Sequence, residues 1–111
     1  MSHEERAVQL GIDIAHKILS SGRELAAADA VRITMKARNE MAILRPPATF
    51  GDVIDVLQDL AVQDWSTTLR SAVTGEPMHV FKPMTRFGLL YLKVVIRLDC
   101  VVVSFHEEVE P

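Results

Sequence analysis

Within residues 87–108, Tyr91, Lys93, Arg97, Ser104 and His106 bring proton donors and acceptors together with anion-binding cations. Phenol and imidazole groups exchange protons, whereas ammonium and guanidinium groups bind phosphate. Acid–base chemistry at a phosphate ester needs three such functions: a base, a cation facing the phosphate oxygens, and an acid for the leaving oxygen. Histidine, with an unperturbed pKa of about 6.5, suits the base or acid role. His106 is the first candidate, and Tyr91 adds a positioning hydroxyl. His79 becomes the candidate partner acid if its strand lies beside residues 87–98. Lys93 and Arg97, with Lys82 and Arg86 upstream, are the candidate cations for binding phosphate groups, those of RNA included. A solvated face carries polar residues too, because many antiparallel sheets leave one side in water. The mixture of residue types is what sets this stretch apart from an ordinary face of Thr, Ser, Glu and Lys.

A β-hairpin is the element that must position these groups. Leu90, Leu92, Val94, Ile96 and Leu98 alternate with Tyr91, Lys93, Val95 and Arg97, the period of a half-buried strand. Residues 101–105 are dense in β-branched side chains and favour a second strand. A two-residue turn at Asp99-Cys100 pairs Leu98 with Val101, Ile96 with Val103 and Val94 with Phe105 on an apolar face. The same register sets Arg97 against Val102, Lys93 against His106 and Tyr91 against Glu108. Asp-Cys is not a strong turn sequence, and a longer loop is the alternative. Cys100 is the only cysteine, so the chain has no internal disulfide. Its place at a turn predicts an exposed but structural thiol.

The remaining elements read as helices followed by strands. Residues 4–20 carry Val8, Ile12, Ala15 and Leu19 at helical spacing, with Gly22 to close the helix. Residues 23–40, rich in alanine, predict a second helix that forms a hairpin with the first. Arg45-Pro46-Pro47 ends that unit. Thr49, with Asp52 three residues on, caps a third helix whose stripe is Phe50, Val53, Ile54, Leu57, Leu60 and Ala61. That helix, or a short one after it, extends over 64–70. Thr74-Gly75-Glu76-Pro77 is a turn, 78–82 is a strand stopped by Pro83, and 84–86 leads into the hairpin. The expected fold class is α+β: N-terminal helices packed on a small antiparallel sheet of about three strands.

A chain of 111 residues fits one domain, and 49% apolar with 24% charged residues is a globular composition. It has no apolar run long enough to cross a membrane and no basic region ahead of an apolar one at its N-terminus, so a cytoplasmic protein is expected. The net charge of −3 argues against a nucleic-acid binder, yet residues 69–103 hold five basic residues against Glu76 and Asp99. A local basic patch on an acidic protein follows.

Three segments carry a family resemblance. Asp64-Trp65 after the 50–60 helix, then Val80-Phe81-Lys82-Pro83, then Tyr91-Leu92-Lys93 with Val102-Val103-Ser104-Phe105 and a glutamate-rich end stand in this order. Over residues 50–108 the chain resembles the MqsR (motility quorum-sensing regulator) toxins. The resemblance implies a RelE-like fold, metal-independent mRNA cleavage without a cofactor, and neutralisation by a cognate antitoxin protein. It also implies a site of two lysines, a glutamine and a tyrosine. Tyr91 keeps the tyrosine. The first lysine position is Thr67, the glutamine position Met78 and the final lysine position His106. The expected function is therefore a toxin of a toxin-antitoxin pair acting as an mRNA endoribonuclease. The alternatives are a non-catalytic scaffold of the same kind that binds protein or RNA, and an unrelated module whose 101–105 edge pairs with a partner strand.

Overall fold

The computed structural model describes residues 19, 20, 24 and 30–108. Leu19 and Ser20 are helical, and the rest of the helix expected over 4–20 lies outside the described residues. The helix expected over 23–40 is overturned in its second half. Val31–Ile33 is a strand, β1, and Met35–Ala42 is a separate helix, α1. Val31 and Ile33 turn toward the core while Arg32 is exposed, a period of two. Thr34 then restarts the chain as a helix, its hydroxyl accepting from the Ala37 N–H at 3.2 Å. Helix-favouring Ala, Met and Lys on either side mask a three-residue strand, because propensity is weaker than pairing.

Helix α2, Phe50–Asp59, has the expected capping box: Thr49 Oγ1 accepts from the Asp52 N–H at 3.2 Å and Asp52 Oδ2 from the Thr49 N–H at 2.8 Å. Val53, Val56, Leu57 and the capping Leu60 are buried, whereas Phe50 is exposed. No helix follows. A single 3-10 turn, Val62–Asp64, leads into strand β2, Trp65–Arg70. The extended backbone of Leu60 stops α2, and the Asp64 carboxylate ties the turn by accepting from the Ala61 N–H at 2.9 Å.

Strands β3 (Pro77–Phe81), β4 (Met84–Thr85), β5 (Gly88–Ile96) and β6 (Cys100–Glu107) complete the sheet. Gly88, at a φ of 94°, lets the chain reverse from β4 into β5, a conformation that side chains with a Cβ resist. The order is β1-β6-β5-β3-β2, with β4 paired to β5. Strand β1 runs parallel to β6 and the other pairs are antiparallel. The sheet is thus mixed and six-stranded, with two α-helices of eight or more residues among the described residues. This overturns the small antiparallel sheet of about three strands carried by N-terminal helices, and with it the RelE-like assignment as drawn. The reason is local: β1 and β2 lie in segments whose composition reads as helix.

The C-terminal hairpin forms, but its register is two residues off the expected one. Tyr91 pairs with His106, Leu92 with Phe105 and Lys93 with Ser104. Residues 97–99 make a three-residue loop, closed by the Arg97 N–H donating to the Asp99 carbonyl at 2.8 Å. An even shift preserves faces, so Leu90, Leu92, Val94 and Phe105 are core as expected. A bulge between Lys93 and Val94 then inverts the second strand, placing Cys100 and Val102 in the core. Leu98, expected in the core, is 96% exposed at the loop tip.

Candidate functional site

Alternation along β5 and β6 turns Tyr91, Lys93, Ser104 and His106 to the face opposite the core. The centre of that face is apolar and buried: Val80 and Val95 are fully or nearly covered, as is Val101. The broad polar platform suggested by the alternation is therefore reduced to its end at Tyr91 and His106. Their rings stack with centroids 5.0 Å apart and planes 10° from parallel. Lys93 Nζ lies 5.9 Å from the centre of the Tyr91 ring.

Helix α1 completes the group. It follows β1 directly, and β1 pairs only with Cys100–Val102, so the rest of the β6 edge is left for the helix to cover. Glu40 Oε1 accepts from the Phe105 N–H at 3.0 Å, a bond a neighbouring strand would otherwise make. Lys36 Nζ donates to Ser104 Oγ at 2.8 Å and to Glu40 Oε2 at 2.9 Å. The second Glu40 oxygen also lies 4.0 Å from His106 Nε2. Burial opposes ionisation of Glu40, but the hydrogen bonds from Lys36 and Phe105 and the Lys36 and His106 charges outweigh it. Its carboxyl is held below the usual range. Lys36 and Glu40 were not legible as site residues, since their partners lie more than sixty positions away.

The tautomer of His106 follows from its partner. Nδ1 lies 2.8 Å from the Glu107 carbonyl, which only accepts, so Nδ1 carries the hydrogen. In the neutral ring the lone pair is on Nε2, 4.0 Å from Glu40 Oε2. A proton taken up there gives a positive ring with a carboxylate near its edge and the Tyr91 ring against its face. His106 and Glu40 also border a groove of 500 Å³, shared with Ile43, Leu44, Arg45, Phe87 and Glu107. Three of these lining residues, Ile43, Leu44 and Phe87, are apolar, and the other four are charged or titratable.

The other candidates are placed elsewhere. His79 pairs with Val94 and so faces the core side, opposite Tyr91 and His106. It is buried, its Nδ1 is 3.0 Å from Thr68 Oγ1, and desolvation lowers its pKa. It cannot act as the partner acid for a substrate on the Tyr91 side. Arg97 is clamped by Glu76, with Nε donating to Oε2 at 2.6 Å, Arg86 is bound to Asp52, and Lys82 lies 3.3 Å from Glu108. Each of these three cations is neutralised by a carboxylate. Lys93 has no carboxylate partner among the described residues. Thr67 lies on the exposed strand β2, and Met78 on β3 is half-buried.

Cys100 is wholly buried rather than exposed at a turn, and burial followed by the Asp99 charge pushes its thiol up to about 12. A second cleft, of 320 Å³, is lined by Asp52, Asp55, Asp59 and Asp64 and repels phosphate. Among the described residues no three His, Cys, Asp or Glu side chains are grouped to hold a metal ion. No helix among them is long and apolar enough to cross a membrane. No protein-family model matches the chain, and comparison with curated proteins returns no match.

Proposed function

We propose that the protein is an endoribonuclease of the MqsR toxin kind, cutting mRNA through the groups gathered at the α1–β6 edge and held in check by an antitoxin. The observation that carries this reading is the Tyr91–His106 stack with Glu40 at 4.0 Å and the carboxylate-free Lys93 beside it. His106 Nε2 takes the proton from the ribose 2′-hydroxyl, and the freed oxygen attacks phosphorus. Glu40 stabilises the imidazolium that results, as a carboxylate does beside a charged histidine. Lys93 faces the charge that builds on the phosphorane oxygens. The phosphorus–O5′ bond then breaks, and the Tyr91 hydroxyl delivers a proton to O5′. One product ends in a 2′,3′-cyclic phosphate and the other begins with a 5′-hydroxyl, so atoms and charge balance.

The test is incubation of the purified chain with end-labelled RNA in EDTA. Discrete fragments ending in cyclic phosphate, absent with His106→Ala, support the reading. Intact RNA with wild-type protein sinks it.

A second reading has its own observation. The ion pairs on Lys82, Arg86 and Arg97 leave Lys93 and Arg45 as the cations beside the site with no carboxylate partner among the described residues. A non-catalytic domain that binds a protein partner would need no more. Uncut and unbound RNA, with binding to a cognate antitoxin, would favour it.

A further inference from the structure

The two edges of the sheet are treated unequally. At one, β1 is three residues long, with Arg32 exposed and the Ile33 carbonyl accepting from Arg38 Nε at 3.4 Å. Beyond it, Lys36 and Glu40 occupy the β6 edge. That rules out strand addition at 101–105. Short length, charge and a covering helix are the usual protections of a sheet edge. At the other edge, β2 is six residues long and, among the described residues, outermost. From Trp65 to Leu69 it carries neither a charge nor a proline, and Ser66 to Arg70 are exposed. Its one protection is a bulge between Trp65 and Thr67, which leaves Thr67–Arg70 in regular register with β3. An open strand of this kind presents unpaired backbone groups to any matching strand.

We propose that β2 pairs antiparallel with β2 of a second copy of this chain, joining two sheets into one. Identical antiparallel strands keep like faces together only if the paired residue numbers sum to an even value. The regular stretch Thr67–Arg70 is centred between Thr68 and Leu69, and the even register with its axis on Thr68 sets that residue opposite Thr68 of the second copy. Thr67 then faces Leu69 and Ser66 faces Arg70, each pair occurring twice. The match is self-complementary. It sets no like charges opposite each other, contains a Thr–Thr pair of the favourable type, and covers Leu69, which is 42% exposed in the single chain. Edge pairing alone falls short of the roughly 1,200–2,000 Å² of a standard interface, so the dimer is weak and concentration-dependent. Because the contact is isologous it closes at two copies.

Sedimentation of the full chain from micromolar to millimolar concentration tests this. The expected result is a monomer–dimer equilibrium. Thr67→Lys with Leu69→Lys puts like charges directly opposite and should leave only monomer. Thr67→Glu with Leu69→Lys should restore the dimer, in a form that salt weakens. Circular dichroism checks that both variants stay folded. Independently, Thr68→Cys should form an inter-copy disulfide, since Cα atoms across an antiparallel pair lie about 4.5–5.5 Å apart and native Cys100 is buried. A wild-type monomer throughout, a dimer unmoved by the double lysine, or a charge-swapped variant that stays monomeric would each overturn the proposal.

Discussion

Replacing His106 by Ala should cost on the order of 10²–10⁴ in cleavage rate with folding intact, the usual range for a general acid or base. Tyr91→Phe should lose its step while keeping the ring that stacks on the histidine, which single-turnover cleavage would register. Cys100 should behave oppositely to a reactive thiol. With its pKa pushed up to about 12 it stays protonated and unlabelled by a thiol reagent at pH 8 until the chain is unfolded. Stability tied to it is complete below the unfolded thiol value of 9.0 and declines as pH rises from there toward 12. His79 acts at the other end of the scale. Burial lowers its pKa below 6.5, so the folded ring stays neutral where the unfolded one would protonate. Stability present above pH 6.5 is lost as pH falls below it, and His79→Gln should flatten that part of a Tm-against-pH curve. The identities of Tyr91, Lys93 and His106 as one cluster were readable from the alternation of β5. The exclusion of His79 was not, because a strand's face depends on which neighbour it pairs with.

At the level of elements, Thr34 fixes where α1 begins and so where Lys36 and Glu40 meet β6. Its hydroxyl caps the helix and also lies 3.4 Å from the Val103 carbonyl. Thr34→Ala should destabilise the protein by about 1 kcal/mol in denaturant unfolding, and should lower cleavage further by loosening Glu40. The α2 capping box was fully legible, since Thr49 and Asp52 are three residues apart and each accepts from the other's backbone N–H, a contact that needs no distant partner. The hairpin was legible in its faces and wrong in its register. Val101, Val102 and Val103 are equally good strand residues, so nothing in their types says where a bulge must fall. Strands β1 and β2 were hidden for a related reason. Val31-Arg32-Ile33 and the Ser66-Thr67-Thr68 run are too short and too mixed to show a period, and they become strands only by pairing with β6 and β3.

On the whole molecule, the placement of charge decides what salt will do. Lys82, Arg86 and Arg97 are each held by a carboxylate, whereas Lys93 is not. Lys93→Ala should reduce the salt slope of RNA binding by about one contact, and Arg97→Ala or Arg86→Ala should leave it unchanged. Binding titrations at several ionic strengths measure this directly. Equal losses for all three substitutions would mean that RNA breaks the ion pairs and lies across the whole face. The Lys82–Glu108 pair also ties the end of β3 to the end of β6, with the Glu108 side chain only 9% exposed. Lys82→Ala strands a buried carboxylate and should cost roughly 1–3 kcal/mol, the penalty for leaving a buried polar group unmatched.

The parallel pairing of β1 with β6 carries a consequence for when the proposed site comes together during synthesis. Val31 meets Cys100, and Lys36 meets Ser104, only after everything between them has been made and folded. Closing a loop of that length is entropically slow, and contacts so distant in sequence tend to form late. A nascent chain still missing β6 has α1 and part of the sheet but no histidine–glutamate pair, so the proposed site is incomplete until the last strand docks. Pulsed hydrogen exchange should find the Phe105 amide among the last to gain protection, with the β2–β3 amides ahead of it.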